Sequence, residues 1–181
     1  MGDVVRRVAR LRARLAVALA RRRVPLGFLF GALAVWLARP TPQSLAIGAV
    51  VAVVGEALRI WGAGHLEKGR EVTSSGPYRW TRHPLYLGST LMGVGLAIAS
   101  ASVIVVALVV VYLAITLWAA IRTEESHLTE KFGSAYPNYR EGRSDGSTRR
   151  FSLDRAVRNR EYRAVIGLAV ALIVLWWKAA R

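Results

Sequence analysis

The chain has 181 residues, is 54% hydrophobic, carries a formal net charge of +15 and contains no cysteine. Such proportions require apolar and basic residues to be segregated, which argues against a soluble nucleic-acid-binding protein: its Lys and Arg would cover a folded surface, and it would need no apolar runs of spanning length. Disulfides and thiolate metal sites are excluded, and no metal centre is expected.

Residues 4–23, VVRRVARLRARLAVALARRR, set arginines about one helical turn apart among Val, Leu and Ala, as a basic interfacial helix does. Apolar runs follow at Val24 to Ala38, Ser44 to Trp61, Leu85 to Ile121 and Ala164 to Trp177. At roughly 20 residues per spanning helix, the third holds two helices folded back at ASAS, residues 99–102. The prediction is an all-α polytopic membrane bundle of about five helices containing one tight hairpin. The first and last runs are short, so four crossings is the alternative. A cleaved signal peptide is not expected, because the arginine-rich leader is long and no small-x-small site follows Ala38. The organisation reads as a basic amino-terminal segment (1–23), a core (24–140), a polar linker (141–163) and an additional apolar helix (164–181).

Orientation follows from the basic flanks. Eight arginines precede Val24, Lys68, Arg70, Arg79 and Arg82 lie between the second and third helices, and ten basic residues lie from Arg122 to Arg163. Five spans then put the amino terminus, GPYRWTRHP and the segment after Ile121 on the cytoplasmic side.

In the second run, Glu56 and Arg59 lie three residues apart on one helical face. Ionisable groups at membrane depth are costly, so the pair is a functional candidate, with a structural ion pair as the alternative. Trp61 beyond it fits an interfacial aromatic belt. In GHLEKGREVTSSGPYRWTRHP, Gly76-Pro77 marks a turn and Pro84 suits the first turn of the next helix, where its missing amide hydrogen costs nothing. Arg82 and His83 then stand at a helix mouth that attracts carboxylate or phosphate, lipid headgroups being the simpler occupants. Further on, Leu117, Ile121, Leu128 and Phe132 recur at helical spacing, so the fourth helix continues past the membrane. Glu124 and Glu125 straddle that apolar stripe and are expected to look into the protein. Tyr136 and Tyr139 flank a proline and either line a pocket or close the motif. A hairpin brings TRHPLY and RTEESHL to one rim, where basic, acidic and aromatic groups suit a ligand with a carboxylate, an ammonium and an aromatic ring.

GPYRWTRHPLYLG, an apolar hairpin and RTEESHLTEKFGSAYPNYR together resemble the integral-membrane methyltransferases related to isoprenylcysteine carboxyl methyltransferase and the phospholipid N-methyltransferases. The likeness covers roughly Gly55 to Arg140. It implies S-adenosylmethionine bound between the two segments and a lipophilic or lipidated acceptor arriving from the bilayer. His83, Pro84, Tyr86, Glu124 and Glu125 match the family's cofactor positions, while Gly76 to Tyr78 and Arg82 match the loop shaping the site; Tyr136 joins the set. One departure is REGRSDGSTRRF followed by a further apolar run, where family members continue into a short segment.

Methyl transfer from a sulfonium is an in-line displacement, so alignment and exclusion of water do most of the work. A carboxylate acceptor needs no base, whereas an amine must lose a proton, for which Glu124, Glu125 or a water is available. Arg59, Arg82 and Arg122 are candidate clamps. Gly88, Gly93 and Gly95 offer either close helix packing or room for a lipid chain. The competing functions are a sterol-type reductase using NADPH, which is usually a much longer chain, and a non-catalytic membrane binding module.

Overall fold

The computed structural model describes residue 27, residues 29–143 and residues 149–181. The basic segment 4–23 and the start of the first apolar run lie outside the described residues. Helix α1 is described over residues 29–37. It is followed by α2 (Pro42–His65), a 3-10 turn (Gly76–Arg79), α3 (Pro84–Ala99), α4 (Val103–Phe132), α5 (Ala135–Arg140), α6 (Leu153–Arg158) and α7 (Tyr162–Ala179). No strand occurs among the described residues.

Three of these helices, α2, α4 and α7, are long and apolar enough to cross a membrane; α3 is a shorter apolar helix of 16 residues. The count of full-length spans is therefore lower than five among the described residues. The α3–α4 hairpin nevertheless forms where expected, turning through Ser100, Ala101 and Ser102. Val50, Val53, Ile104, Val110, Ile173 and Trp176 are all more than half exposed, except that their surroundings in a bilayer would be apolar. This outward apolar surface is the mark of an integral membrane bundle.

Each helix starts for a local reason. At α2, Thr41 and Ser44 form a reciprocal capping box and Pro42 occupies the first turn. At α4, the Ser102 hydroxyl accepts from the Val105 amide. At α3, Pro84 opens the helix and His83 sits at the cap position without capping it through its side chain, which leaves the imidazole free for other partners.

The centre of the bundle is a glycine seam between α2 and α3. A Cβ at Gly55 would lie 2.6 Å from the Met92 nitrogen and 2.7 Å from the Gly88 carbonyl oxygen, and one at Gly48 or Gly95 would run into the facing backbone. Small residues here let the two backbones touch, which supplies dispersion contact in a solvent where hydrophobic burial contributes little. Gly88 and Gly95 therefore serve packing rather than a lipid groove. Gly93 faces Leu113 and Val109 of α4.

Within the segment read as a linker, residues 149–161 fold back over the end of α2. The last carbonyls of any helix lack intrahelical partners. Here Asn159 Nδ2 donates to the carbonyls of Ala63 and Leu66, while the Arg155 guanidinium and the Ser152 amide donate to that of Gly64. Arg155 and Arg149 also pair with Glu67, at 2.7 and 2.9 Å. The strap delivers the chain to α7, which runs antiparallel to α2: Glu161 at its start meets Arg59, and Lys178 near its end donates to the carbonyls of Val35 and Trp36.

Candidate active site

The shared end of α3 and α4 is polar. His83 Nε2 lies 3.2 Å from Glu125 Oε1, the Tyr86 hydroxyl donates to Glu124 Oε2 at 2.5 Å, and Arg82 approaches Glu125 at 3.4 Å. The expected convergence of TRHPLY with RTEESHL is thus present. It arises because a three-residue turn makes α3 and α4 antiparallel, and because α4 is long enough to reach past the start of α3.

Helix α5 closes this end. Gly133, at φ +54, terminates α4 in a conformation that suits glycine, and the chain turns back. Tyr136 becomes buried and donates to Glu125 Oε1 at 3.3 Å, while Tyr139 donates to the Tyr78 carbonyl at 2.6 Å. Tyr136 thus joins the cluster and Tyr139 ties α5 to the 3-10 turn. Burial pushes both phenols up to about 12, the Glu125 charge adding to the effect at Tyr136, so both remain hydroxyl donors at neutral pH.

Beside the cluster opens a cleft of about 580 Å³ lined by Arg122, Glu125, Ser126, Thr129, Glu130, Tyr136 and Arg140. It presents cations, carboxylates, hydroxyls and an aromatic ring within one concavity. Ser126, Thr129, Glu130 and Arg140 were not singled out from sequence. The first three share a helical face with Arg122 and Glu125 at spacings of three, four and seven, a periodicity that extends the Glu124/Glu125 reading along α4.

The remaining sequence candidates have other positions. Gly76 takes φ +57, and a Cβ there would collide with the His65 ring, whose Nδ1 meets Ser75 Oγ at 3.1 Å. Pro84 is buried against the Gly62 region of α2. Tyr78 is buried under α5, and burial first, then the nearby Glu124, Tyr139 and Glu161 charges, hold its phenol far above the ordinary range. Gly76 and Pro84 thus pack against α2 and do not line the cleft, and Tyr78 reaches the cluster only through its carbonyl's bond to Tyr139. Arg59, read as a clamp, is committed elsewhere: its Nε donates to Glu161 at 2.6 Å and its Nη1 to the Leu85 carbonyl and Ser89. Among the described residues, no group of three or more His, Cys, Asp or Glu side chains is placed to hold a metal ion.

Residues 26–135 match the phospholipid methyltransferase family. Among curated proteins, the chain is 35% identical over 97 residues to the cobalt-zinc-cadmium resistance protein CzcN of Cupriavidus metallidurans, covering 52% of this chain and 42% of that protein. It is 33% identical over 88 residues to the nickel-cobalt-cadmium resistance protein NccN of Alcaligenes xylosoxydans xylosoxydans, covering 48% and 40%. The chain thus spans about two fifths of the length of these relatives. No solved structure matches it.

Proposed function

The chain belongs to the phospholipid methyltransferase family, and on that premise we propose that it transfers the methyl group of S-adenosylmethionine to a membrane-soluble acceptor at the shared end of α3 and α4. The observation that carries this reading is the meeting of His83 and Tyr86 with Glu124, Glu125 and Tyr136 beside a polar cleft.

The cleft's donor set suits the group. Arg122 and Arg140 can hold a carboxylate, Glu125 and Glu130 an ammonium, and Tyr136 offers a ring edge and a hydroxyl. S-adenosylmethionine, when bound, supplies an electrophilic methyl on a sulfonium. The protein's part is to orient and to exclude water. His83, Arg82 and Tyr136 all converge on Glu125 and fix its carboxylate, while Tyr86 fixes Glu124. An amine acceptor must shed a proton before its lone pair is available, and a carboxylate on α4 can take it. Helix α5, tied down through Tyr139, covers one side of the cluster and limits access of water. The acceptor approaches from the bilayer, and by the distribution of basic residues the site faces the cytoplasm.

Purified full-length protein in detergent, incubated with methyl-labelled S-adenosylmethionine and a total lipid extract, should move label into the lipid fraction. Label remaining wholly in the cofactor would count against this function.

A further inference from the structure

The strap that delivers the chain to α7 has two faces. Its inner face is built from Ser152, Arg155, Ala156 and Asn159, spaced by three or four residues, and is spent on the end of α2: three of these donate to carbonyls there and Ala156 is buried. The outer face is left open. Leu153 and Val157, one helical turn apart on α6, are 65% and 52% exposed. Around them stand the exposed arginines Arg150, Arg158, Arg160 and Arg163, against one exposed carboxylate, Asp154, which pairs with Arg158. The other carboxylate of this stretch, Glu161, is buried and held by Arg59.

Two observations fix the depth of this face. Helix α7 is long and apolar enough to cross a membrane, and only three residues separate it from α6. Those residues make a closed turn: Arg160 takes φ +62, its amide donates to the Val157 carbonyl at 2.8 Å, and the Glu161 amide donates to the Ala156 carbonyl at 3.1 Å. Helix α6 is therefore held at the surface where α7 enters the bilayer. Just before α6, a row of rings ends at Phe151. Trp80, Trp61, His65 and Phe151 follow one another at centroid separations of 5.2, 6.5 and 6.2 Å, with Trp80 and Phe151 exposed. Exposed aromatic rings at the end of a spanning helix lie at headgroup level.

An apolar pair framed by guanidinium groups at that depth complements one occupant. Zwitterionic lipid would cover Leu153 and Val157 but carries no net charge to meet the arginines. A second copy of this face, or the basic segment 4–23, would bring arginines against arginines. Anionic phospholipid supplies both an acyl surface and the complementary charge. We propose that the outer face of α6 is a docking surface for anionic phospholipid, with Leu153 and Val157 set against the acyl boundary and Arg150, Arg158, Arg160 and Arg163 on the headgroups. None of these residues lines the cleft of Arg122 and Glu125, so the surface is separate from the proposed methyl-transfer site and does not depend on that reading.

The chain has no cysteine, so Val157→Cys provides a single attachment point for a fluorescent label. The labelled full chain is reconstituted in phosphatidylcholine vesicles, and quenching by acyl-brominated phosphatidylglycerol is compared with quenching by acyl-brominated phosphatidylcholine at equal mole fraction. Both should quench, with phosphatidylglycerol preferred roughly fivefold or more, the increment that one basic residue provides at an anionic surface. The preference should vanish when Arg150→Gln, Arg160→Gln and Arg163→Gln are combined. Equal quenching by the two lipids in the parent, or a preference that the combined variant retains, overturns the proposal. So does an absence of quenching by either lipid, the result expected if water, a second copy or another segment of the chain covers the face. Where the combined variant does not fold, salt decides: at about 1 M the parent's preference should shrink several-fold, and its persistence overturns the proposal.

Discussion

His83 Nε2 and Glu125 Oε1 stand 3.2 Å apart across 42 residues of sequence, joined by the apolar hairpin of α3 and α4. His83 occupies the cap position of α3 but makes no side-chain cap bond, so the helix does not need its imidazole. His83→Ala is therefore expected to leave the amount of folded protein unchanged while weakening S-adenosylmethionine binding about tenfold, because Glu125 loses one of its orienting partners. Tyr86→Phe, which frees Glu124, should act in the same direction. Equilibrium binding of the labelled cofactor alongside size-exclusion chromatography checks both.

The glycine seam sets a sharp contrast between positions. Gly48→Val or Gly95→Leu forces the α2 and α3 backbones apart and should cost on the order of 3 kcal/mol or more, enough to abolish folded protein. At Gly167 of α7 a Cβ meets nothing within 4 Å, so Gly167→Ala should be tolerated or slightly stabilising. Thermal unfolding in detergent, followed by light scattering, distinguishes them.

The strap gives a pH dependence. The hydrogen bond from Arg155, with the further arginines Arg149 and Arg70, holds the Glu67 carboxyl below its ordinary range. A carboxyl depressed by folding stabilises the fold above its unfolded pKa, and that contribution is lost as pH falls through the folded value. The parent should lose thermal stability on acidification below about pH 4. Arg155→Ala should start lower near neutral pH and lose less on acidification, since much of the shift is already gone.

Helix α7 runs antiparallel to α2, from Glu161 beside Arg59 to Leu172 and Trp176 beside Leu45 and Ala49, and Lys178 then reaches the end of α1 at Val35 and Trp36. A reporter fused after Arg181 should accordingly lie on the opposite membrane face from one inserted after Arg143. The proposed cytoplasmic orientation of the site predicts that the carboxy-terminal reporter lies outside. Both reporters on one face would mean that α7 does not cross.

Local patterns carried much of this fold in the sequence. The ASAS turn, the proline at the start of α3 and the apolar stripe that continues α4 past the membrane are each specified within a few residues, and all are found. The meeting of His83 with Glu125 was legible because a tight hairpin leaves one geometry. Arg59 was not: its partner Glu161 is 102 positions away, on an element with no pattern linking it to α2. The glycines of α3 were equally ambiguous, since a missing side chain admits either a neighbouring backbone or a lipid, and only the position of α2 decides. The strap escaped because its donors read as ordinary surface arginines, serines and asparagines until the carbonyls of α2 are placed beneath them.

The central claim is tested most directly by equilibrium binding of labelled S-adenosylmethionine and of NADPH to the purified full chain, compared with Glu125→Gln. The account predicts saturable S-adenosylmethionine binding, no NADPH binding, and a loss of about tenfold or more in the variant, whose amide no longer carries the charge that His83, Arg82 and Tyr136 converge upon. Binding of NADPH instead, or S-adenosylmethionine affinity indifferent to Glu125, would contradict it.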